Sequence, residues 1–315
     1  MNNRMTEFFQ ARKGISRFLP IAAAILCWVA AVLFVKFFSY RMDIHTQNFF
    51  RYFGASIFLS AVSAIAYPGC FRVFKSRAPV FFLLGAMVVA FQICWVSSIY
   101  RLGPAFVSLL SKLSTILITI AAFLLYHEER IVVRTPRFLA GFAMGLAGVA
   151  GVGIGMPGFK LGLPRSEITG ILFLVASSVI WAVYVNVVKR ILRQVNSLQA
   201  FTFTCICATI YLLPVMLIWG KPASLLHSGG GLMTLVIISG IIGVAGANSN
   251  YYASIKRIGM ARSANLALLQ PFATAIVSFH LFGEILTNAQ WTFGALLLVG
   301  CATIISIREN TKNNP

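Results

Sequence analysis

The chain has 315 residues, of which 59% are hydrophobic and 10% are charged, and its mean hydropathy is +0.86. This composition excludes the two soluble domains that the length alone would allow, and it is typical of a protein that lies within a lipid bilayer. The formal net charge of +19 does not indicate a nucleic-acid partner, because the 26 basic residues are distributed between apolar segments and do not gather on one soluble face.

Ten apolar segments are each long enough, at about 20 residues, to cross the hydrocarbon core of a bilayer. Every backbone polar group in lipid needs an internal partner, so each segment is predicted to be an α-helix and the fold class to be all-α. The first segment is interpreted as an uncleaved helix. We call these segments spans 1 to 10, and they cover residues 18–38, 47–67, 79–99, 104–126, 138–156, 168–188, 199–219, 232–253, 262–282 and 289–307.

A sequence repeat divides the chain into two halves. Residues 101–128 align without a gap on residues 257–284 at an offset of 156, and Trp28 falls on Trp181 at an offset of 153. Internal duplication of this kind is typical of transporter folds. The prediction is a first five-helix repeat at 18–156, a linker at 157–167, a second five-helix repeat at 168–307, and tails at 1–17 and 308–315.

The distribution of basic residues predicts the orientation in the membrane. Eighteen lie in tails and loops on the N-terminal side, five lie in the opposite loops, and three lie within spans. This bias predicts that both termini are cytoplasmic. Because each half contains five spans, the two repeats are expected to be inverted, and the expected location is the plasma membrane (the inner membrane of a bacterium).

Lys112 lies well inside span 4, where a charge costs about 2.5–3.5 kcal/mol on insertion scales. Ser108, Ser111, Thr115 and Thr119 share its helical face. Such a stripe is expected to face a wet cavity, where Lys112 binds an anionic substrate with Ser108 and Thr115 beside it. The alternative is a lysine that snorkels outward or pairs with a structural partner.

Other spans offer polar and aromatic side chains for the same cavity. Asn265 and Gln270 in span 9 either bind substrate or join helices through hydrogen bonds. Aromatic residues with polar tips suit a small organic solute, although packing between helices would also explain them. The remaining candidates are Gln92, Trp95, Trp181, Tyr184, Asn248, Tyr251 and Tyr252.

Three ionisable residues lie near predicted span ends. Arg51 and Lys36 are expected to line an outer vestibule, with snorkelling to headgroups as the alternative for Lys36. His280 is the one plausible proton carrier within a span, and a structural role is the alternative. All seven acidic residues fall in tails, loops or helix ends, which disfavours transport of a polycation or quaternary ammonium compound.

No catalytic or cofactor-binding motif is present in the sequence. Nucleophile–base constellations, H-E-x-x-H and glycine-rich phosphate loops are absent, and the six cysteines have no metal-ligand spacing. The chain is therefore not expected to be an enzyme or to need a metal or cofactor.

Several motifs resemble the EamA-type branch of the drug/metabolite transporter superfamily. They are W-x7-K from Trp28, N-F-F-R-Y-F around Arg51, W-A-V-Y-x4-K-R from Trp181, and the order A-N-L-A-L-L-Q-P-F, L-F-G-E, W-x2-G-A-L-L-L-V-G in the second half. The resemblance covers about residues 20–307. It implies ten helices in two inverted repeats, a central cavity lined by spans 1, 3, 4, 6, 8 and 9, and export or exchange of metabolites such as amino acids.

The chain departs from the family's pattern in the first half. The proline of span 4 is replaced near Thr115, and the glutamate at the end of the repeat is either Glu128 or Glu129. A lysine shortly before the proline position is similar to the sugar-phosphate and nucleotide-sugar branch. The leading hypothesis is a secondary transporter of a small anionic or zwitterionic metabolite, acting as a monomer or homodimer. The alternatives are an organic-phosphate or nucleotide-sugar-like exchanger and a non-transporting membrane scaffold.

Overall fold

The computed structural model describes residues 16–102, 107–108, 110–154, 165–227, 230–282 and 287–307, and within these ranges the chain is helical and contains no strand. The side chains at 152–154, 165–167, 224, 226–227, 275, 278–282 and 290 are outside this description. The helices are α1 (Leu19–Ser39), α2 (Ile44–Ala66), α3 (Phe71–Leu102), α4 (Leu113–Leu125), α5 (His127–Val133), α6 (Pro136–Ile154), α7 (Arg165–Leu192), α8 (Ser197–Trp219), α9 (Pro222–His227), α10 (Gly230–Gly240), a π-helical turn (Ile241–Gly246), α11 (Ala247–Ile258), α12 (Met260–Leu266), α13 (Leu269–Phe282) and α14 (Asn288–Ile305).

Among the described residues, six helical segments are long and apolar enough to cross a membrane. They are α1, α2, α3, α8, the Ile168–Leu192 part of α7, and the stretch Gly230–Ile258 that joins α10, the π-helical turn and α11. Two shorter apolar segments, Leu113–Leu125 and Trp291–Ile305, accompany them. The all-α membrane fold is therefore confirmed for the described residues. Of the predicted linker, residues 157–164 lie outside the described part and the rest begin α7.

Equivalent polar caps begin α2 and α8. Asp43 accepts hydrogen bonds from the backbone amides of His45 and Thr46, both at 2.9 Å, and Asn196 accepts one from Leu198 at 3.0 Å. Burial raises the pKa of Asp43, but hydrogen bonds, among them one from Thr46, outweigh burial and leave the pKa below its ordinary value. These caps satisfy amides that have no partner within the helix, which fixes where each span starts.

Spans 4 and 9 correct the prediction of one continuous helix each, because both are broken within their first half. In span 4 a turn at Ser111 and Lys112 separates helical residues 107, 108 and 110 from α4. In span 9 a turn at Ala267 and Leu268 separates α12 from α13. The two turns occupy equivalent positions at the 156-residue offset. A break at the same place in both halves indicates that it belongs to the repeat.

The two breaks share a hydrogen-bond pattern. The amide of Ser114 bonds to the carbonyl of Ser111 at 3.1 Å, and the amide of Gln270 bonds to the carbonyl of Ala267 at 3.2 Å. Both bonds reach back three residues, as in a 3₁₀ turn, so the chain tightens locally before the next helix begins.

The causes of the two breaks differ. In span 9, Pro271 has no N–H for the helical ladder. In span 4, the hydroxyls of Ser111 and Ser114 bond to backbone carbonyls three residues earlier, at 2.9 and 2.6 Å. Serine side chains compete with the helical ladder for such carbonyls. Span 4 therefore keeps its break although the proline is missing at Thr115.

Helices of the two halves pack in the pairs that a twofold relation requires. α2 packs on α8, α4 on α12 and α6 on α14, and each pair joins equivalent spans. α1 packs on α11 and α7 packs on α3, which are equivalent contacts. The ring of Trp28 lies 6.3 Å from that of its equivalent, Trp181. Because these two residues touch, they lie close to the pseudo-twofold axis.

Glycines allow the closest approaches between helices. A Cβ built on Gly141 of α6 would lie 2.7 Å from the carbonyl oxygen of Gly300 in α14. A Cβ on Gly240 of α10 would lie 2.0 Å from the carbonyl oxygen of Arg51 in α2. Small residues at such contacts are typical of helix packing in membranes, where close backbone approach drives association.

We expect Gly240→Ala to lower the free energy of unfolding by at least about 1–3 kcal/mol, the usual cost of overpacking. The clash is with backbone, which has no rotamer to move to. Gly231→Ala in the same helix is the control, because nothing lies within 4 Å of its added Cβ. The check is the melting temperature of both purified variants in detergent, and equal values would contradict the close approach of α2 and α10.

Candidate functional site

A cavity lies between the two halves, beside both broken helices. The space available to the centre of a water-sized sphere is about 100 Å³, enough for several water molecules or a small organic solute. The lining comes from spans 1, 3, 4, 6, 8 and 9 and also from spans 2 and 7, through α2 and α8. The predicted site residues that line it are Arg51, Gln92, Trp95, Ser108, Lys112, Thr115, Trp181, Tyr184, Asn248, Tyr251 and Gln270.

Lys112 lies at the break of span 4 and lines the cavity. It is 8% exposed, and its ammonium donates a hydrogen bond to Gln270 Oε1 at 2.7 Å. An ammonium has three donors, and this bond is the one partner that the described residues provide. This position contradicts the alternative that Lys112 snorkels to the membrane surface, because the side chain points into the protein towards span 9. Beside it, Ser108 is 2% exposed and its hydroxyl has no partner among the described residues.

Arg51 lies deeper than the outer vestibule expected from the sequence. It is 1% exposed and lines the cavity together with Lys112. Its Nε and Nη1 are buried and have no hydrogen-bond partner among the described residues. Burying a charged donor without a partner is costly, so this guanidinium is a candidate for ligand contact.

The π-helical turn Ile241–Gly246 packs against α2 near this guanidinium. A Cβ on Gly243 would lie 3.1 Å from Arg51 Nη2, so glycine leaves room for the side chain. The side-chain amides of Asn248 and Asn250 donate hydrogen bonds to backbone carbonyls within the turn, at 2.9 and 2.8 Å. Such π-helical turns inside α-helices occur frequently at functional sites.

An aromatic cluster forms one wall of the cavity. The ring of Trp181 lies 5.8 Å from Tyr251 and 4.8 Å from Phe91, and Tyr251 lies 4.9 Å from Trp28. Phe91, Trp28 and Tyr52 line the cavity although the sequence analysis did not assign them to it. The sequence did contain a signal for Trp28, because the repeat aligns this residue with Trp181, which was a candidate.

Four candidate residues have other surroundings. Tyr252 is fully buried and its hydroxyl bonds to that of Tyr184. Asn265 is also fully buried and donates to Thr119 Oγ1 at 3.1 Å, so it joins span 9 to span 4. Lys36 is half-buried, with its ammonium 4.6 Å from the centre of the Tyr40 ring. The side chain of His280 lies outside the described part of the structure.

The cavity is positively charged. Among the described residues that line it, Lys112 and Arg51 are charged and none is acidic. The described acidic side chains, Asp43, Glu128 and Glu129, belong to helix ends away from this lining. The cavity therefore favours an anionic group over a cationic one.

Glu129 joins the two halves on the side predicted to be cytoplasmic. Its carboxylate is 4% exposed and pairs with the ammonium of Lys189 at the end of α7. It also accepts the amides of Met260 at 2.6 Å and Ala261 at 3.1 Å, which begin α12. Gly259 permits this approach, because its φ is +90° and an added Cβ would lie 2.9 Å from the carboxylate. In the described structure Glu129 is thus the buried carboxylate that joins α7 to α12, whereas Glu128 pairs with Lys189 at 3.6 Å and with Arg193 from a more exposed position.

Glu128 lies on the exposed side of the same short helix. Partial burial raises the pKa of its carboxyl, but hydrogen bonds, among them one from Arg193, outweigh burial and the pKa falls below its ordinary value. The stabilisation from this pairing is therefore present at neutral pH and is lost as the pH falls through the lowered pKa. It is small, because the carboxylate is 53% exposed.

Comparison with known proteins gives one match on each half of the chain. The model of the EamA-like transporter family matches residues 17–154 and 168–306. The chain belongs to this family. The resemblance seen in the sequence is thus confirmed, and the chain is a multi-pass membrane protein of a transporter family, which agrees with the expectation that it is not an enzyme.

Individual relatives add to this assignment. A protein of Archaeoglobus fulgidus described as an uncharacterized transporter is 29% identical over 195 residues, covering 61% of this chain and 68% of the relative. A solved crystal structure superimposes with a TM-score of 0.74 over 91% of this chain and 96% of the other. At 21% identity this second likeness supports the fold alone.

We expect Glu129→Gln to lower the free energy of unfolding by about 3–5 kcal/mol, because it leaves the buried ammonium of Lys189 without its main counter-charge. Glu128→Gln, which alters an exposed carboxylate of the same helix, should cost less than about 1 kcal/mol. Melting temperatures of the two purified variants provide the check. Equal losses in both would show that Glu129 does not hold the halves together.

Proposed function

We propose that the chain is a secondary transporter that exports or exchanges a small anionic or zwitterionic metabolite, such as an amino acid, by alternating access. The supporting observation is the position of Lys112, at the break of one of two equivalent broken helices and inside a cavity shared by both halves. Broken helices that meet near the middle of a repeat protein are typical of transporter substrate sites.

The ten spans form two inverted five-helix repeats in the plasma membrane of a bacterium, with both termini cytoplasmic, as a monomer or homodimer. The 18-to-5 distribution of basic residues supports this orientation. Rocking of one helix group against the other about the pseudo-twofold axis opens the cavity to each side in turn. The sequence has no nucleotide-binding loop, so an ion or solute gradient supplies the energy.

Lys112 binds a carboxylate or phosphate oxygen of the substrate in this mechanism. Its bond to Gln270 keeps the ammonium at the break until the anion arrives, and the amide of Gln270 then donates to the substrate. Gln92 and Asn248 contribute further amide groups from spans 3 and 8. The aromatic wall covers the carbon skeleton of the solute.

Uptake by proteoliposomes is the direct test. Purified protein in lipid vesicles is offered pooled radiolabelled metabolites, with empty vesicles as the control. Accumulation of one or more pooled solutes is expected. Absence of flux for every pool would favour the alternative of a non-transporting scaffold. Competition by inorganic phosphate would favour an organic-phosphate exchanger, whose supporting observation is the lysine beside the helix break.

Reporter fusions test the orientation. Fusions after residues 75 and 193 should report a cytoplasmic position, and fusions after residues 162 and 225 an external one, because basic residues concentrate in loops of the first kind. The readout is a pair of reporters that are active on opposite sides of the membrane. A reversed result at two of the four sites would contradict the inverted repeats.

Substitution of Lys112 separates binding from folding. Lys112→Met keeps the apolar stem and removes a charge-assisted hydrogen bond worth about 1.5–3 kcal/mol, so affinity for a transported metabolite should fall about tenfold or more. The melting temperature should stay equal or rise, because a buried charge has gone. Lys112→Arg should restore binding only in part, since a planar fork does not replace a compact ammonium.

Lys36→Met is the matched control, because this lysine lies outside the cavity lining and its loss should leave affinity unchanged. The measurements are the ligand affinity and the melting temperature of the Lys112→Met, Lys112→Arg and Lys36→Met proteins. Unchanged affinity in a well-folded Lys112→Met protein would remove this lysine from the binding site.

A further inference from the structure

The cavity contains two cations and no acid among its described lining residues. We infer that the transported solute carries two anionic groups, one bound by Lys112 and the other by Arg51, and is a compact organic dianion. This inference rests on the proposed function, because it assumes that the cavity is the transport site, and it makes Arg51 a residue that determines substrate specificity.

The buried hydrogen-bond donors support two anionic groups. The Lys112 ammonium bonds to Gln270, whose amide oxygen is neutral and offsets the desolvation of the charge only in part. Two nitrogens of the Arg51 guanidinium have no partner among the described residues. A monoanion would neutralise one of these cations and leave the other without a counter-charge. A dianion supplies an acceptor and a counter-charge to both.

The same balance disfavours a zwitterion. Its ammonium would enter a cavity with two positive charges and, within the described lining, no carboxylate to accept its hydrogen bonds. Aromatic faces such as those of Trp181 and Tyr251, and neutral amide or hydroxyl oxygens of the lining, are the partners that the cavity offers an ammonium. Such contacts are weak beside a direct ion pair. Charge repulsion therefore discriminates against an amino acid that has one carboxylate.

The two cations differ in shape and in position. Lys112 is a compact charge at the break of span 4, whereas Arg51 lies on α2 against the π-helical turn and presents a planar fork that suits two oxygens of one acid group. Two sites on separate helices fit two acid groups joined by a carbon skeleton. The skeleton then lies along the aromatic wall formed by Trp28, Trp181 and Tyr251.

A series of matched probes tests the charge requirement on the unaltered protein. We choose dicarboxylates from malonate to adipate, the monoamide of each, and the ω-amino acid of the same chain length, with glycerol 3-phosphate as a phosphate dianion. The measurement is thermal stabilisation of purified protein over a range of probe concentrations. At least one dianion should bind about tenfold or more tightly than its monoamide and its amino-acid analogue. The carboxylate and phosphate probes separate the two sources of charge.

Variants of Arg51 test its role as the second anchor. Arg51→Gln should weaken the dianion until it binds no better than its monoamide, and should leave the monoamide nearly unchanged. Arg51→Lys keeps one charge and should lose only part of the preference, which provides a readout if the glutamine variant folds poorly. Arg41→Gln removes an exposed guanidinium from the loop after α1 and is the control that should keep the full preference.

The possible outcomes separate this inference from the proposed function. Equal or tighter binding of the monoamide or amino acid, or a preference that survives in folded Arg51→Gln protein, would overturn the dianion assignment. Uptake of a pooled solute with fewer than two anionic groups, without binding of any dianion, would overturn it and leave the transport function intact. Failure of every probe to bind, together with no uptake of any pool, would overturn both.

Discussion

The helix breaks in spans 4 and 9 depend on a constraint that lipid imposes on every polypeptide. An unpaired backbone group in hydrocarbon is too costly, so irregular chain is tolerated only where protein surrounds it. Here each break is covered by the other half. Asn265 of span 9 bonds to Thr119 of span 4 at 3.1 Å, and Lys112 bonds to Gln270 at 2.7 Å. The two breaks therefore stabilise each other, and the cavity exists beside them because neither helix fills that space.

Glu129 connects this central region to one end of the helix bundle. Its carboxylate satisfies the first amides of α12 and also neutralises Lys189 of α7, so three separate segments depend on one side chain. A negative charge at a helix N-terminus also interacts favourably with the helix dipole. Because α12 leads directly into the break at Ala267, any motion of the broken span relative to α7 has to carry this contact along or release it.

Much of the fold was predictable from the sequence, because hydrophobic length and an internal repeat are local or periodic signals. Lys112 also stood out, since a charge deep in an apolar span has few structural explanations. The break in span 4 was not foreseen, because serine hydroxyls replace the proline that marks the break in span 9. The depth of Arg51 was missed for another reason, and the sequence left open whether Asn265 binds substrate or joins helices. Both depend on contacts between residues far apart in the chain, which periodicity does not reveal.

The asymmetry of the site follows from its place near the pseudo-twofold axis. The equivalent of Lys112 is Leu268, which is fully buried, and the equivalent of Gln270 is Ser114. Leu268 does not line the cavity, and its side chain packs beside Gly145 of α6. The first half therefore supplies both cations of the lining, Lys112 and Arg51, while Gln270 of the second half supplies a neutral acceptor. The paired broken helices are common to both repeats, and divergence at these positions leaves only the first of them with a lysine at its break.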